Sequence, residues 1–185
     1  LLSGKYLNIV YNTFISNIQI ILSGDTQINV SRSLSKLKSV FITLDKDFVG
    51  QRLTYYNKPW NNFYSPMAID TITNTTTHIP ANEIESLQLQ VGAFMIPQYP
   101  IRSHAECFYS LRKSLGIQSN SLHSVDINGN AYRNDKFIVG LDCEKLLGLA
   151  FTGMNTKNSL MTVKLKTAET NRANRIHILL LSEQV

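Results

Sequence analysis

Cysteine is scarce in this chain: two among 185 residues, Cys107 and Cys143, far apart and without CxxC spacing. They give no basis for a disulfide framework and fit a protein assembled in a reducing cytosol or nucleus. Histidine is nearly as rare, at four residues. His104 and Cys107 would share a helix face and, with His123 and Cys143, make four nominal zinc ligands. The later two lack paired spacing, and Cys107 beside Phe108 reads more simply as a small core residue. No cofactor is expected. No run approaches the roughly 18 uninterrupted apolar residues of a membrane span. The opening Leu1-Leu-Ser-Gly-Lys-Tyr6 lacks the basic, apolar and small-residue regions of a signal peptide, so no membrane or secretory route is expected. Asn29-Val-Ser31 and Asn74-Thr-Thr76 match the glycosylation pattern, but without a sign of secretion neither is expected to be modified.

Enzyme signatures are also missing. The sequence contains no GxSxG, P-loop, GxGxxG or HExxH. Ser121, His123 and Asp126 lie too close together to be a triad assembled from separate elements, and read as turn chemistry. Glu83 with Glu85, and Asp142 with Glu144, would each share a face if extended, but nothing marks a pocket around them. No catalytic role is expected.

What is present is a core-forming composition: 43% hydrophobic and 17% charged residues over 185, enough for one domain that buries a real core. Most of it reads as strand. Ile18, Ile20 and Leu22 alternate around Gln19; Val40, Ile42 and Leu44 around Phe41 and Thr43; and Phe137, Val139 and Leu141 form another face. Met161, Val163 and Leu165 alternate with Thr162, Lys164 and Lys166, and Ile176, Ile178 and Leu180 with His177, Leu179 and Leu181. The polar alternation of Met161–Lys166 predicts one wet face. Val40–Leu44 and Ile176–Leu181 are apolar on both faces, which predicts cover on both sides. Seven or so such runs, with Ser23-Gly24-Asp25 and Asn128-Gly129 as turn signals, predict an all-β, two-sheet antiparallel sandwich.

One helix interrupts the strands, over residues 103–115. Ser103 and Glu106 have capping-box spacing, the serine oxygen receiving an exposed amide and the glutamate reaching back to the serine amide. Phe108, Leu111 and Leu115 recur at helical spacing, Arg112 and Lys113 sit near the negative end of the dipole, and Gly116 supplies a left-handed stop.

Residues 45–82 show little periodicity. The aromatic cluster Trp60, Phe63 and Tyr64 predicts that this loop packs against something, either another subunit or its own sandwich; it could also stack on a sugar. Eighteen basic and thirteen acidic residues give a net charge of +5. Lys157, Lys164, Lys166, Arg172 and Arg175 dominate the C-terminal stretch, as either a solvated face or a sequence-independent contact with phosphate, which needs charge alone.

The helix lies between segments whose order carries a family resemblance. Before it comes Ser86-Leu-Gln-Leu-Gln-Val-Gly92. After it come His123-Ser-Val-Asp-Ile-Asn-Gly129, Phe137-Ile-Val-Gly-Leu-Asp-Cys-Glu-Lys145 and Phe151-Thr-Gly-Met-Asn-Thr156. Ser31-Arg-Ser-Leu-Ser-Lys-Leu-Lys-Ser-Val-Phe-Ile-Thr-Leu44 and Arg175-Ile-His-Ile-Leu-Leu-Leu-Ser182 complete the set. From about Gln27 onward this order resembles the second jelly roll of the double jelly-roll major capsid proteins of polinton-like viruses and virophages. The resemblance selects the jelly roll among sandwiches and makes residues 1–185 its second barrel, cut at both ends.

The resemblance also implies a structural role. The chain would form a homotrimer whose double barrels make a pseudo-hexagonal capsomer, tiled into an icosahedral shell around double-stranded DNA. Its place would be the virion, after assembly in host cytoplasm or nucleus. Its partners would be itself, neighbouring capsomers, penton and minor capsid proteins and, non-specifically, packaged DNA, with no small-molecule substrate. Trp60, Phe63 and Tyr64 are the candidate subunit contacts, and the five basic residues the candidate inner surface. The alternatives are a carbohydrate-binding, lectin-like sandwich or a cupin-like enzyme.

Overall fold

The computed structural model describes residues 11–22, 24–45, 63, 84–117, 125–134, 136–144, 153–167 and 175–184. They form eight strands and two helices: β1 (Tyr11–Ile20), β2 (Asp25–Val30), β3 (Leu37–Asp45), β4 (Ile84–Val91), β5 (Phe94–Ile101), α1 (His104–Ser114), α2 (Gly129–Asn134), β6 (Val139–Asp142), β7 (Met161–Thr167) and β8 (Arg175–Gln184).

The strands form two four-stranded sheets, ordered β1-β8-β3-β6 and β2-β7-β4-β5, with every pairing antiparallel. Strand 1 lies beside 8, 2 beside 7, 3 beside 6 and 4 beside 5. That is one long four-pair hairpin rolled up on itself, the jelly-roll form of the expected sandwich. The core is the alternate residues of the two inner faces. Ile42, Leu44, Val139, Leu141, Ile176, Ile178 and Leu180 from the first sheet meet Ile28, Val30, Leu87, Leu89, Val163 and Leu165 from the second. β3 is covered on both sides as predicted, with Ser39, Phe41 and Thr43 on its outward side also buried.

The rolled-up order brings the strand ends joined by the two long links, β3–β4 and β5–β6, to one end of the sandwich, where Asp45 of β3 registers with Arg175 of β8. α1 sits on the second of these links and follows its predicted limits. Ser103 Oγ accepts from the Glu106 amide at 3.2 Å. The glutamate reaches one residue further back than expected: its carboxylate accepts from the Arg102 amide at 2.7 Å, not from that of Ser103. At the other end the Gly116 amide donates to Lys113 and the Ile117 amide to Arg112, with Gly116 at φ +69. This is a Schellman stop, which the left-handed region makes natural for glycine.

Asn128-Gly129, predicted to be a turn, instead opens a second helix. The Asn128 side chain accepts from the Ala131 amide at 2.7 Å and so caps α2. Tyr132 of α2 packs against Phe108 of α1, with ring centroids 5.3 Å apart, and against Phe137 at 5.4 Å. His104 closes the cluster edge-on to Tyr132 and Phe137. The Tyr132 hydroxyl donates to the Ile138 carbonyl at 2.7 Å. This aromatic cluster is continuous with the main core and anchors the helical link to the barrel.

Candidate assembly interface

The outward faces of the two sheets differ in kind. On the second sheet they carry Asp25, Gln27 and Asn29 of β2, Thr162, Lys164 and Lys166 of β7, and Ser86, Gln88 and Gln90 of β4. Much of this polarity is satisfied within the sheet. The Thr162 hydroxyl donates to Asn29 at 2.9 Å, the Gln88 amide to the carbonyls of Pro97 and Gln98, and the Gln90 amide to that of Gly92. It is a face suited to water.

The outward face of the first sheet carries an apolar stripe along β1 and β8, beside the polar Ser39 and Thr43 of β3. In β1, the residues that register with outward-facing His177, Leu179 and Leu181 of β8 are Ile18, Ser16 and Phe14. Phe14, Ile18 and Ile20 are 63%, 55% and 73% exposed, and Leu22 just beyond is 78% exposed. The alternation of Ile18, Ile20 and Leu22 is therefore real, but it points to solvent. The inward side of β1 carries Thr13, Ile15, Asn17 and Gln19 over the barrel edge. Leu179 and Leu181 are half-buried next to Phe14, whose ring centroid is 6.4 Å from that of Phe41. A contiguous apolar stripe on an outward sheet face, facing a polar face across the barrel, is the pattern of a docking surface.

Beside this stripe, where the long links leave, lies a charged cluster. Arg175 holds Asp45 with two parallel hydrogen bonds, of 2.7 and 2.5 Å. His177 Nε2 is 3.0 Å from the same carboxylate, off the line of a good hydrogen bond, so it acts as an ion pair when the ring is protonated. Burial opposes ionisation of Asp45, but the paired hydrogen bonds from Arg175 and the close approach of His177 outweigh it and hold the carboxyl below its usual range. At the opposite end of β8, Lys36 and Lys38 lie 2.6 and 3.0 Å from the Glu183 carboxylate. Their hydrogen bonds likewise lower its pKa.

Of the three candidate aromatic contacts, only Phe63 is among the described residues; Trp60 and Tyr64 lie outside them. Phe63 packs within its own barrel. Its carbonyl accepts from the Phe137 amide at 3.0 Å, and its ring lies edge-on to His177 at 6.5 Å. The candidate basic surface does not gather into one patch. Lys164 and Lys166 are neighbours on the second sheet, and Arg175 is engaged with Asp45 on the first. Exposed Lys157 follows Thr156, which is bonded to Arg32 and Leu34 at the far end of β3 from Arg175. Arg172 lies outside the described residues, as do Ser121 and His123.

A scan against protein-family models and a search of curated proteins found no match to this chain. Cys107 and Cys143 are buried, which pushes each thiol up to about 12 and leaves both protonated at neutral pH. No group of three or more histidine, cysteine or acidic side chains is placed to hold a metal among the described residues. Asp142 and Glu144 are joined locally, the Glu144 amide donating to the Asp142 carboxylate at 2.9 Å. The apolar stripe was not recognised in the sequence. The signal that could have revealed it is the absence of any charge over Tyr11–Ile20, since a solvated outer face of that length normally carries some.

Proposed function

We propose that this chain is a structural assembly unit: the second jelly roll of a double jelly-roll viral major capsid protein. It would act as a homotrimer whose capsomers tile an icosahedral shell around double-stranded DNA. The observation that carries this reading is the exposed apolar stripe of Phe14, Ile18 and Ile20 on the outward face of the first sheet, on a jelly roll whose other outward face is polar. Such a barrel has one side for water and one side for a neighbour. The segment order described above and the helix-bearing link between β5 and β6 support the same reading.

The mechanism is association, not chemistry. Apolar area leaves water at repeated contacts, each modest, and closed symmetry multiplies them over the shell. Neighbouring capsomers, penton and minor capsid proteins are the partners, and the virion is the location. Lys164 and Lys166, side by side on the polar face, are the residues for a non-specific phosphate contact.

Electron microscopy of the polypeptide that carries this chain tests the proposal. Hexagonal-outline trimers or closed shells are the expected result. Monodisperse single copies across a range of salt and pH would contradict it.

A further inference from the structure

We propose that β1 is a twofold contact in which its free edge pairs antiparallel with β1 of a second copy of this chain. The two first sheets would then run into one eight-stranded sheet. This contact goes beyond the trimer proposed above. An isologous pairing closes a dimer and cannot itself close a threefold ring, so within a shell it would join neighbouring trimers.

The two sheets have four edges. The first sheet ends in β1 and β6, the second in β2 and β5. Free edges invite pairing, and proteins block them with covering helices, prolines, charges or short strands. β6 is four residues long and lies under α1, so closely that Ser114 occupies the space beside Gly140. β5 carries Pro97 and Pro100. β2 is six residues long and carries Asp25. Among the described residues β1 shows none of these devices. It is ten residues long, without charge or proline, and its register with β8 is unbroken from Tyr11 to Ile20. Among the described residues its other edge takes no strand.

The occupant follows from the character of the strand. An uncharged edge offers no charge pattern to select a charged partner, and the outward face of the second sheet is polar. The described molecule presents one edge of matching character, which is β1 itself. Because β1 carries no charge, two copies meet without like-charge repulsion despite a net charge of +5 per chain. One register makes the match explicit. With Ser16 opposite Ser16 on the twofold axis, each Phe14 faces the partner copy's Ile18, an aromatic–β-branched cross-strand pair formed twice.

Cysteine cross-linking tests both the pairing and its register, because Cys107 and Cys143 are buried and their thiols protonated. Directly opposed residues of an antiparallel pair have Cβ atoms about 4.5–5.5 Å apart, near enough for a disulfide after small adjustment. Ser16→Cys is expected to give a disulfide-linked dimer under mild oxidation, roughly a hundredfold faster than Gln27→Cys on the β2 edge, since pairing raises the effective thiol concentration. Ile18→Lys puts a charge on an exposed position. It is expected to weaken the dimer at least about tenfold by analytical ultracentrifugation while leaving the circular dichroism spectrum unchanged.

Equal, slow cross-linking of Ser16→Cys and Gln27→Cys would overturn the pairing, as would a dimer indifferent to Ile18→Lys. The two proposals fail separately. Trimers unaffected by Ile18→Lys, without Ser16→Cys cross-links, would overturn the β1 contact and leave the capsid reading standing. Cross-linked twofold dimers that never form trimers would do the reverse.

Discussion

Gly140 of β6 and Ser114 of α1 approach so closely that a Cβ on the glycine would lie 1.9 Å from the serine hydroxyl oxygen and 3.1 Å from the Phe41 ring. The helix is thereby seated directly on the strand, and the salt bridge from Lys113 to Asp142, at 3.9 Å, spans the same junction. Gly140→Ala is predicted to destabilise the barrel by about 1–3 kcal/mol in urea unfolding. The Ser114 hydroxyl would have to leave the Leu111 carbonyl, which it now bonds at 2.9 Å. Adding Ser114→Ala should recover part of the loss, because the two changes share one contact. Strict additivity would mean that the junction yields elsewhere.

Acid should loosen the barrel at both ends of β8. Asp45 and Glu183 have pKa values lowered in the folded state, so their stabilisation is present above the unfolded values and lost as pH falls through the folded ones. Urea midpoints are predicted to fall below about pH 4, the ordinary carboxylate range. Asp45→Asn and Glu183→Gln should each flatten that fall while lowering stability at pH 7. Glu144 has the opposite sign. Burial is the largest influence on it and raises its pKa, so Glu144→Gln should be neutral or stabilising at pH 7 and lose that advantage in acid. An acid limb unchanged in Asp45→Asn would contradict the assignment.

Thr156 joins the β2–β3 and β6–β7 links through a single buried hydroxyl. It accepts from the Leu34 amide at 2.9 Å and donates to the Arg32 carbonyl at 2.9 Å. Thr156→Val keeps the shape but leaves the Leu34 amide without its partner, at a predicted cost of about 1–3 kcal/mol. Hydrogen exchange at Leu34 should accelerate more than at Leu141 in the core. Equal acceleration would indicate global destabilisation alone.

Both ends of α1 should be sensitive to substitution. Ser103→Ala removes the oxygen that receives the Glu106 amide and should cost about 1 kcal/mol. Gly116→Ala forces a side chain into the left-handed region at φ +69, at a similar cost of about 1 kcal/mol. Thermal denaturation checks both. A shift in neither variant would mean that packing on β6 alone holds the helix.

The sequence made most strands, the sandwich and α1 legible because alternation and capping are local; β5 was not read as a strand, since Pro97 and Pro100 interrupt its pattern. It could not say which side of β1 faces the core. Ile18 and Ile20 share a face by period two, but the side that is buried depends on pairing with β8, whose own apolar residues lie on both faces. α2 was missed because Asn-Gly is at once a hairpin signal and a helix start, and Tyr132 packing on Phe108 and Phe137 decides between them. The basic residues were grouped by proximity in sequence, whereas the rolled-up hairpin puts β7 and β8 in different sheets. Trp60 and Tyr64 fall outside the described residues, while Phe63, their neighbour, packs on the barrel.

If, as proposed, this barrel meets copies of itself, its association must depend on concentration. The most direct measurement is the native mass of the polypeptide carrying it as concentration rises. Discrete species in multiples of three are expected, and replacing Phe14 and Ile18 by charged residues should abolish only those larger than the first trimer. A single-copy mass at every concentration would contradict it.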